Sequence, residues 1–212
     1  MLRDPLRRVG RIPTAVLSDA LGRLGTMASA IKPMTSDVGL VGRARTVRCA
    51  PGDFLTLLTA LAEAREGEVL VVDGGGHVEA ALLGQLMAVE ARRKGVRGFV
   101  IDGAVRELAS LRDIGLPIFA RAVTPRIGGA ERLLETQVPI ICGGAPVRPG
   151  DIVRGDEDGV VVFPEARLAQ VVLRALDVRR NERDVVRRLR RGRPLAEVMR
   201  LFDRLVEIRK RG

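Results

Sequence analysis

Residues 82–109, LLGQLMAVEARRKGVRGFVIDGAVRELA, decide how this chain is organised. The first part, GQLMAVEARRKG (84–95), places Leu86, Val89 and Arg93 at the spacing of successive helical turns. The middle, VRGFVIDG (96–103), is a short apolar run suited to a strand covered on both faces. From Ala104 the pattern returns to that of a short helix, AVRELASLRDIG. Helix, buried strand and helix in succession predict an α/β layer. Two details stand out. Gly84-Gln85 interrupts an apolar run, and Arg106 stands directly beside Glu107 just after the strand.

The alternation extends outward on both sides. Upstream, TAVLSDALGRLG (14–25) reads as a short helix that Thr14 can cap, and VGLVGRARTVRCA (38–50) as a strand ending at the Pro51-Gly52 turn. DFLTLLTALAEA (53–64) is a helix with Asp53 at its start, where a carboxylate suits the dipole. GEVLVVDGGG (67–76) is a buried strand ending in glycines. Downstream, LPIFARAV (116–123) is another strand, and residues 138–164 read as short strands joined by Pro-Gly and Asp-Gly turns. Beyond Pro164, Leu168, Val171, Val172, Ala175 and Leu176 share a helix face. Arg193-Pro194 breaks that helix, and Val198, Leu201, Phe202, Leu205 and Ile208 mark a final one. The predicted organisation is an α/β domain over residues 1–164 and a basic helical extension over 165–212, packed on the body or on a neighbouring subunit.

Composition narrows the function. Hydrophobic residues make up 46% and charged residues 29% of the chain, enough for a real core. Trp and Tyr are absent and aromatics total 2%, so the core is aliphatic and stacking platforms for single-stranded bases are nearly absent. Cys49 and Cys142 match no metal spacing and read as small buried hydrophobes. His77 is the single histidine, which excludes a His-rich metal site and argues against a Ser-His-Asp triad. With no signal-peptide pattern and no apolar run near ~18 residues, a cytoplasmic protein with no membrane partner is expected. Net charge is +10, and from Glu165 onward about 15 Arg and Lys face about 7 Asp and Glu, so roughly +8 of it sits in the tail.

Several features have the look of a site. A helix that starts near Gly84 leaves its first N–H groups unpaired, and such an end binds anions. Gly84 lets a ligand approach the backbone of Gln85, Leu86 and Met87. Arg106 falls at the rim of the strand end, where open α/β sheets bind ligands, and a guanidinium there can hold a carboxylate through two parallel bonds. Glu107 offers hard oxygens of the kind that Mg²⁺ or Mn²⁺ takes. Taken singly, each reads more simply as structure: a packing glycine, and a local Arg-Glu pair on a helix turn. VVDGGGH (71–77) lacks a phosphate-binding motif, with Asp73 and His77 as supporting residues at most, and GDEDG (155–159) reads as a hairpin turn.

Together, LSDAL (17–21), GRARTV (42–47), VVDGGG (71–76), LLGQLMA (82–88), GVRGFVIDGAVRE (95–107) and RPGDIVRGDEDGVVVFP (148–164) resemble the RraA-like family. That family includes class II 4-hydroxy-4-methyl-2-oxoglutarate aldolases and the regulator of ribonuclease E activity, and some members carry an older demethylmenaquinone methyltransferase label, which no cofactor motif supports here. The resemblance implies a compact α/β domain of the swivelling β/β/α type, assembled as a trimer or a hexamer with sites between subunits. It also implies a substrate carboxylate held by the backbone of Gly84, Gln85, Leu86 and Met87 and by Arg106, and a divalent metal, Mg²⁺ or Mn²⁺, held by Glu107.

The chain departs from the aldolase pattern at three places. Gln85 replaces an aspartate, Glu107 replaces the aspartate after the arginine, and the third acidic position falls near Ser110, with Asp113 the next acid. Gln85 carries no charge but can steer a metal-bound water, so it joins Arg106 as an expected catalytic residue. The implied activity is a metal-dependent lyase on small 2-keto acids, either retro-aldol cleavage or oxaloacetate decarboxylation through a pyruvate enolate. The alternative is an interaction protein with a decayed site that regulates an RNA-processing enzyme. A nucleic-acid role for Arg187, Arg188, Arg190, Arg191 and Arg193 is the less favoured reading beside a solvated helix face that meets acidic surface on a neighbour.

Overall fold

The computed structural model describes residues 5–36 and 39–201. Four parallel strands form its centre: β2 (Leu40–Arg48), β3 (Glu68–Leu83), β4 (Gly98–Val105) and β5 (Ile118–Val123). The helices α3 (Leu55–Ala62), α4 (Gln85–Arg93) and α5 (Leu108–Ile114) carry the chain from each strand to the next. At one edge β1 (Lys32–Pro33) runs antiparallel to β5. At the other, β8 (Ile152–Asp156) pairs antiparallel with β2, and β9 (Gly159–Phe163) with β8. The sheet order is β1-β5-β4-β3-β2-β8-β9, and a separate hairpin joins β6 (Ile140–Cys142) to β7 (Ala145–Val147).

The central strands are continuous apolar runs because both of their faces are covered. Leu70, Val72, Phe99, Ile101, Ile118 and Ala120 face the helices and meet Leu57, Leu61, Ala88, Ala91 and Leu111. Their alternate neighbours Val69, Val71, Val100 and Phe119 face the β6–β7 hairpin, against Ile140, Cys142 and Val147. The period of two along each strand therefore sorts one sequence run into two cores. Gly98 is required where β4 begins: its φ is 153° and a Cβ there would stand 2.3 Å from the Pro117 carbonyl oxygen.

A third core joins α1 (Pro5–Val9), α2 (Thr14–Ala20) and the start of α6 (Leu168–Arg190), through Val16, Leu17, Phe163, Val171 and Ala175. Buried contacts of α6 stop at Ala175, and α7 (Leu195–Val198) follows Pro194. The expected helix residues Phe202, Leu205 and Ile208 lie outside the described residues.

Three sequence expectations are corrected. Thr14 is not the cap of α2; Pro13 holds that place, and the buried Thr14 gives its N–H and hydroxyl to Asp156 at 2.8 and 2.5 Å. β3 does not stop at its glycines but continues to Leu83, with register shifts against β4 after Asp73, His77 and Ala81. The bulges carry the chain through exposed Val78 and Glu79 and return Ala80–Leu83 to the interior. The helix read from Ala104 starts only at Leu108, because Ala104 and Val105 stay in the sheet opposite Ala122 and Val123.

The Asp53 carboxylate ties the start of α3 to a loop 78 and 79 residues further along the chain. It accepts the N–H groups of Leu55 at 3.0 Å, Glu131 at 2.8 Å and Arg132 at 3.1 Å. Burial raises its carboxyl, but those donors and the Arg132 charge outweigh burial and hold it below the ordinary range. A carboxyl depressed in the folded state stabilises fully above its unfolded value of about 3.9 and loses that contribution as pH falls through the folded value. Asp53→Ala is therefore expected to lower unfolding free energy at neutral pH by on the order of 3 kcal/mol. In urea titrations the gap to the parent protein should narrow below about pH 4; an equal gap at both pH values would assign the loss to something other than this carboxylate.

Candidate functional site

Two strand ends build the site. β3 ends at Leu83 and β4 ends at Val105, and the Arg106 N–H donates to the Leu83 carbonyl at 2.9 Å, which fixes the ends side by side. Gly84 is the N-cap of α4, with extended backbone, and no acid of the helix's own first turn meets its free N–H groups. Glu107 supplies one from across the sheet. Its Oε2 accepts the Gln85 N–H at 2.7 Å, and its Oε1 lies 3.1 Å from Arg106 Nη2.

That arrangement constrains two backbones. Glu107 sits at φ 60°, ψ 44°, a left-handed conformation that costs a non-glycine residue on the order of 1 kcal/mol or more. A Cβ on Gly84 would stand 2.6 Å from Glu107 Oε2 and 3.1 Å from Arg106 Nε. The glycine is thus needed for close approach, and the approach is made by the chain's own carboxylate and guanidinium.

The groups open on a cavity of about 200 Å³ lined by Gly84, Leu86, Met87, Arg106 and Glu107. Phe54, Leu58, Ala81, Leu82, Leu83 and Ile127 complete it and make most of its wall apolar. Gln85 reaches the site through its backbone N–H; its side chain is exposed and is not among the lining groups. Ser110 and the exposed Asp113 lie on α5 and do not line the cavity. The structure thus brings Gly84, Leu86, Met87, Arg106 and Glu107 together at one opening and leaves the Gln85 amide side chain outside it.

The apolar wall was missed in the sequence, although it left a trace. Leu58 lies off the buried face set by Leu57, Ala60 and Leu61 and is 44% exposed, and Leu86 is 83% exposed. Large apolar residues on the wrong side of their helices were the available signal. Ile127 left none, since it comes from a loop held by its bridge to Ala81.

Arg106 and Glu107 give the cavity one cation and one anion. The guanidinium and the first amides of α4 can hold a carboxylate. Among the described residues Glu107 is the only carboxylate on the wall, and no group of three or more His, Cys, Asp or Glu side chains could hold a metal. This donor set suits a largely hydrated Mg²⁺ or Mn²⁺, which needs only one or two carboxylates, and does not suit an ion requiring a cage of protein ligands.

Other reactive side chains serve structure. Asp102 pairs with Arg121 and accepts the Gly143 N–H at 2.6 Å, binding β4 and β5 to the β6–β7 turn. Burial pushes the Cys49 thiol up to about 12 and raises Cys142 further, so both stay protonated and are unsuited to nucleophilic work. Asp73 Oδ1 accepts the Gly75 N–H at 3.0 Å and does not reach the cavity.

Comparison with known proteins agrees with the sequence motifs. The family model Aldolase/RraA matches residues 14–162. A protein of Halalkalibacterium halodurans, provisionally named 4-hydroxy-4-methyl-2-oxoglutarate aldolase, is 41% identical over 172 residues, covering 81% of this chain and 82% of its own. An uncharacterised protein of Pseudomonas syringae pv. tomato superposes with a TM-score of 0.84 at 29% identity over 95% of each chain. Streptomyces coelicolor RraAS2, described as an unusual member of the RNase ES inhibitor RraA family, superposes at 0.77 with 30% identity, over 86% of this chain and 96% of its own. On the family match and on the identity and coverage of these relatives, the chain belongs to the RraA-like family.

Proposed function

We propose that the protein is a lyase on small 2-keto acids, dependent on Mg²⁺ or Mn²⁺. Its reactions would be retro-aldol cleavage of substrates like 4-hydroxy-4-methyl-2-oxoglutarate, decarboxylation of oxaloacetate, or both, since each releases a pyruvate enolate. The observation that carries this reading is the meeting of Arg106, the α4 amides and Glu107 at one apolar cavity. The aldolase name of a relative at 41% identity supports it.

Arg106 and the amides at the start of α4 bind and orient the substrate carboxylate, placing the scissile C–C bond in the cavity. Glu107 would hold the divalent ion together with waters, and that ion would supply Lewis-acid polarisation of the 2-keto group. Holding a cation would draw the Glu107 carboxylate from the Gln85 N–H and the Arg106 guanidinium, and would free both donors for a substrate carboxylate. Phe54, Leu58 and Met87 exclude bulk water, which strengthens every charge interaction within. The Gln85 side chain, exposed and outside the cavity lining, is not assigned the proton transfer expected of it from the sequence; its backbone N–H is the group at the site. Leu86, Leu58 and Ile127, all exposed around this opening, support assembly as a trimer or hexamer with neighbouring copies over the sites.

A second reading is favoured by one observation, the single carboxylate on the wall. In it the metal site has decayed and the protein acts by binding an RNA-processing enzyme, as the description of the Streptomyces relative suggests.

Arg106→Ala is expected to lower kcat/KM for pyruvate release by about 10²-fold or more, with the unfolding midpoint unchanged. A chelator should abolish turnover and Mg²⁺ or Mn²⁺ restore it; equal turnover in the variant, or in chelator, removes the lyase reading. Gly84→Ala tests the close approach itself. The new methyl group displaces the Glu107 carboxylate and the Arg106 side chain, so activity should fall by about 10²-fold while the fold is retained. A coupled pyruvate assay beside a thermal melt checks both.

A further inference from the structure

The distal half of α6 divides its arginines between two faces. On one, arginines are neutralised along the helix: Arg180 with Asp177 at 3.4 Å, Arg188 with Asp184 at 2.6 Å, and beyond the helix end Arg193 with Glu197. On the other, Arg179, Arg183, Arg190 and Arg191 form no ion pair among the described residues. These four border one shallow groove together with Arg187, which leans on Asp184 at 2.8 Å, and a single acid, Glu182. Arg179, Arg183 and Arg190 return to one side of the helix and Arg191 follows as its C-cap, over a length of about 18 Å.

Helix stability does not explain this stripe. Cations in a last turn complement the helix dipole, which accounts for Arg190 and Arg191 and leaves Arg179 and Arg183, two and three turns earlier, without a role. The core packing of α6 ends with the partly buried Val178, before the stripe begins, so among the described residues the body's core does not extend under it. Four uncompensated guanidiniums in a row repel one another unless anions of similar spacing lie against them.

We propose that this face of α6 binds the phosphodiester backbone of nucleic acid, independently of base sequence. A duplex presents about ten negative charges over 18 Å, enough to meet all four guanidiniums, and arginine holds phosphate through paired hydrogen bonds. Aromatics are 2% of the chain, so binding through base stacking is not offered and the contacts are to backbone. A lipid surface fits less well, because among the described residues the groove holds a single apolar residue, Val186, and not the continuous apolar face that an interfacial helix inserts. The sequence alone favoured a solvated face meeting an acidic neighbour; the separation of paired from unpaired arginines reverses that preference.

The test uses the full chain and labelled short duplexes of RNA and of DNA, with phosphatidylserine vesicles and polyglutamate as further arms. Binding to a duplex should weaken with salt, with a slope of log K against log salt of about −3.6 for four phosphate contacts, a loss of about 10²-fold between 50 and 200 mM. Replacing Arg179, Arg183, Arg190 and Arg191 by Gln should abolish that slope. Replacing Arg174, Arg180, Arg188 and Arg193 by Gln removes the same charge and should leave slope and affinity within about tenfold. The RNA and DNA arms show which backbone is preferred. Equal losses in the two variants, no duplex binding at low salt, or binding confined to vesicles or polyglutamate would each overturn the proposal.

Discussion

The bond from the Gln85 N–H to the Glu107 carboxylate holds together the part of this molecule equipped to meet a ligand. It joins the first turn of α4 to the residue that follows β4, and it draws Arg106 into the same opening. Both local peculiarities of the sequence exist to permit it. At Gly84 the carboxylate occupies the space a side chain would take, and Glu107 makes the contact from a left-handed backbone. A carboxylate at a helix start is also where the dipole favours negative charge, so the strain is offset at the place where it arises.

The contact depends in turn on how β3 meets β4. Three register shifts let β3 run past its glycines and finish beside the end of β4, where the Leu83 carbonyl receives the Arg106 N–H. Without them Leu83 would not end level with Val105, and the two halves of the site would stand apart. The cores on either side of the sheet make this precise placement rigid, since Leu82 and Leu83 are buried on one side and the residues of β4 on both.

Charge is distributed with similar economy. Within the body several buried or half-buried cations are paired, as with Arg45 between Glu63 and Glu68 and Arg121 with Asp102. Among the described residues the α6 stripe leaves four guanidiniums without an ion pair along one groove. A neutral Arg-Glu pair in an apolar cavity and an unbalanced row of arginines on a projecting helix call for different ligands, one small and singly placed, the other extended and repeated.

The sequence by itself determined the α/β alternation, the two-faced burial of the central strands, the family, and the presence of Gly84, Arg106 and Glu107 near strand ends. Periodicity and apolar runs are local properties and survive being read along one dimension. Only the tertiary structure decided that β3 continues to Leu83, that Thr14 serves Asp156 instead of its own helix, and that the Gln85 side chain points away while its N–H is the group in use. It alone also supplied Phe54, Leu58 and Ile127 to the cavity wall and sorted the α6 arginines by partner. Each of these depends on which residues far apart in the chain come within a few ångströms, and that distance is fixed by the packing of sheets and helices, which no local pattern encodes.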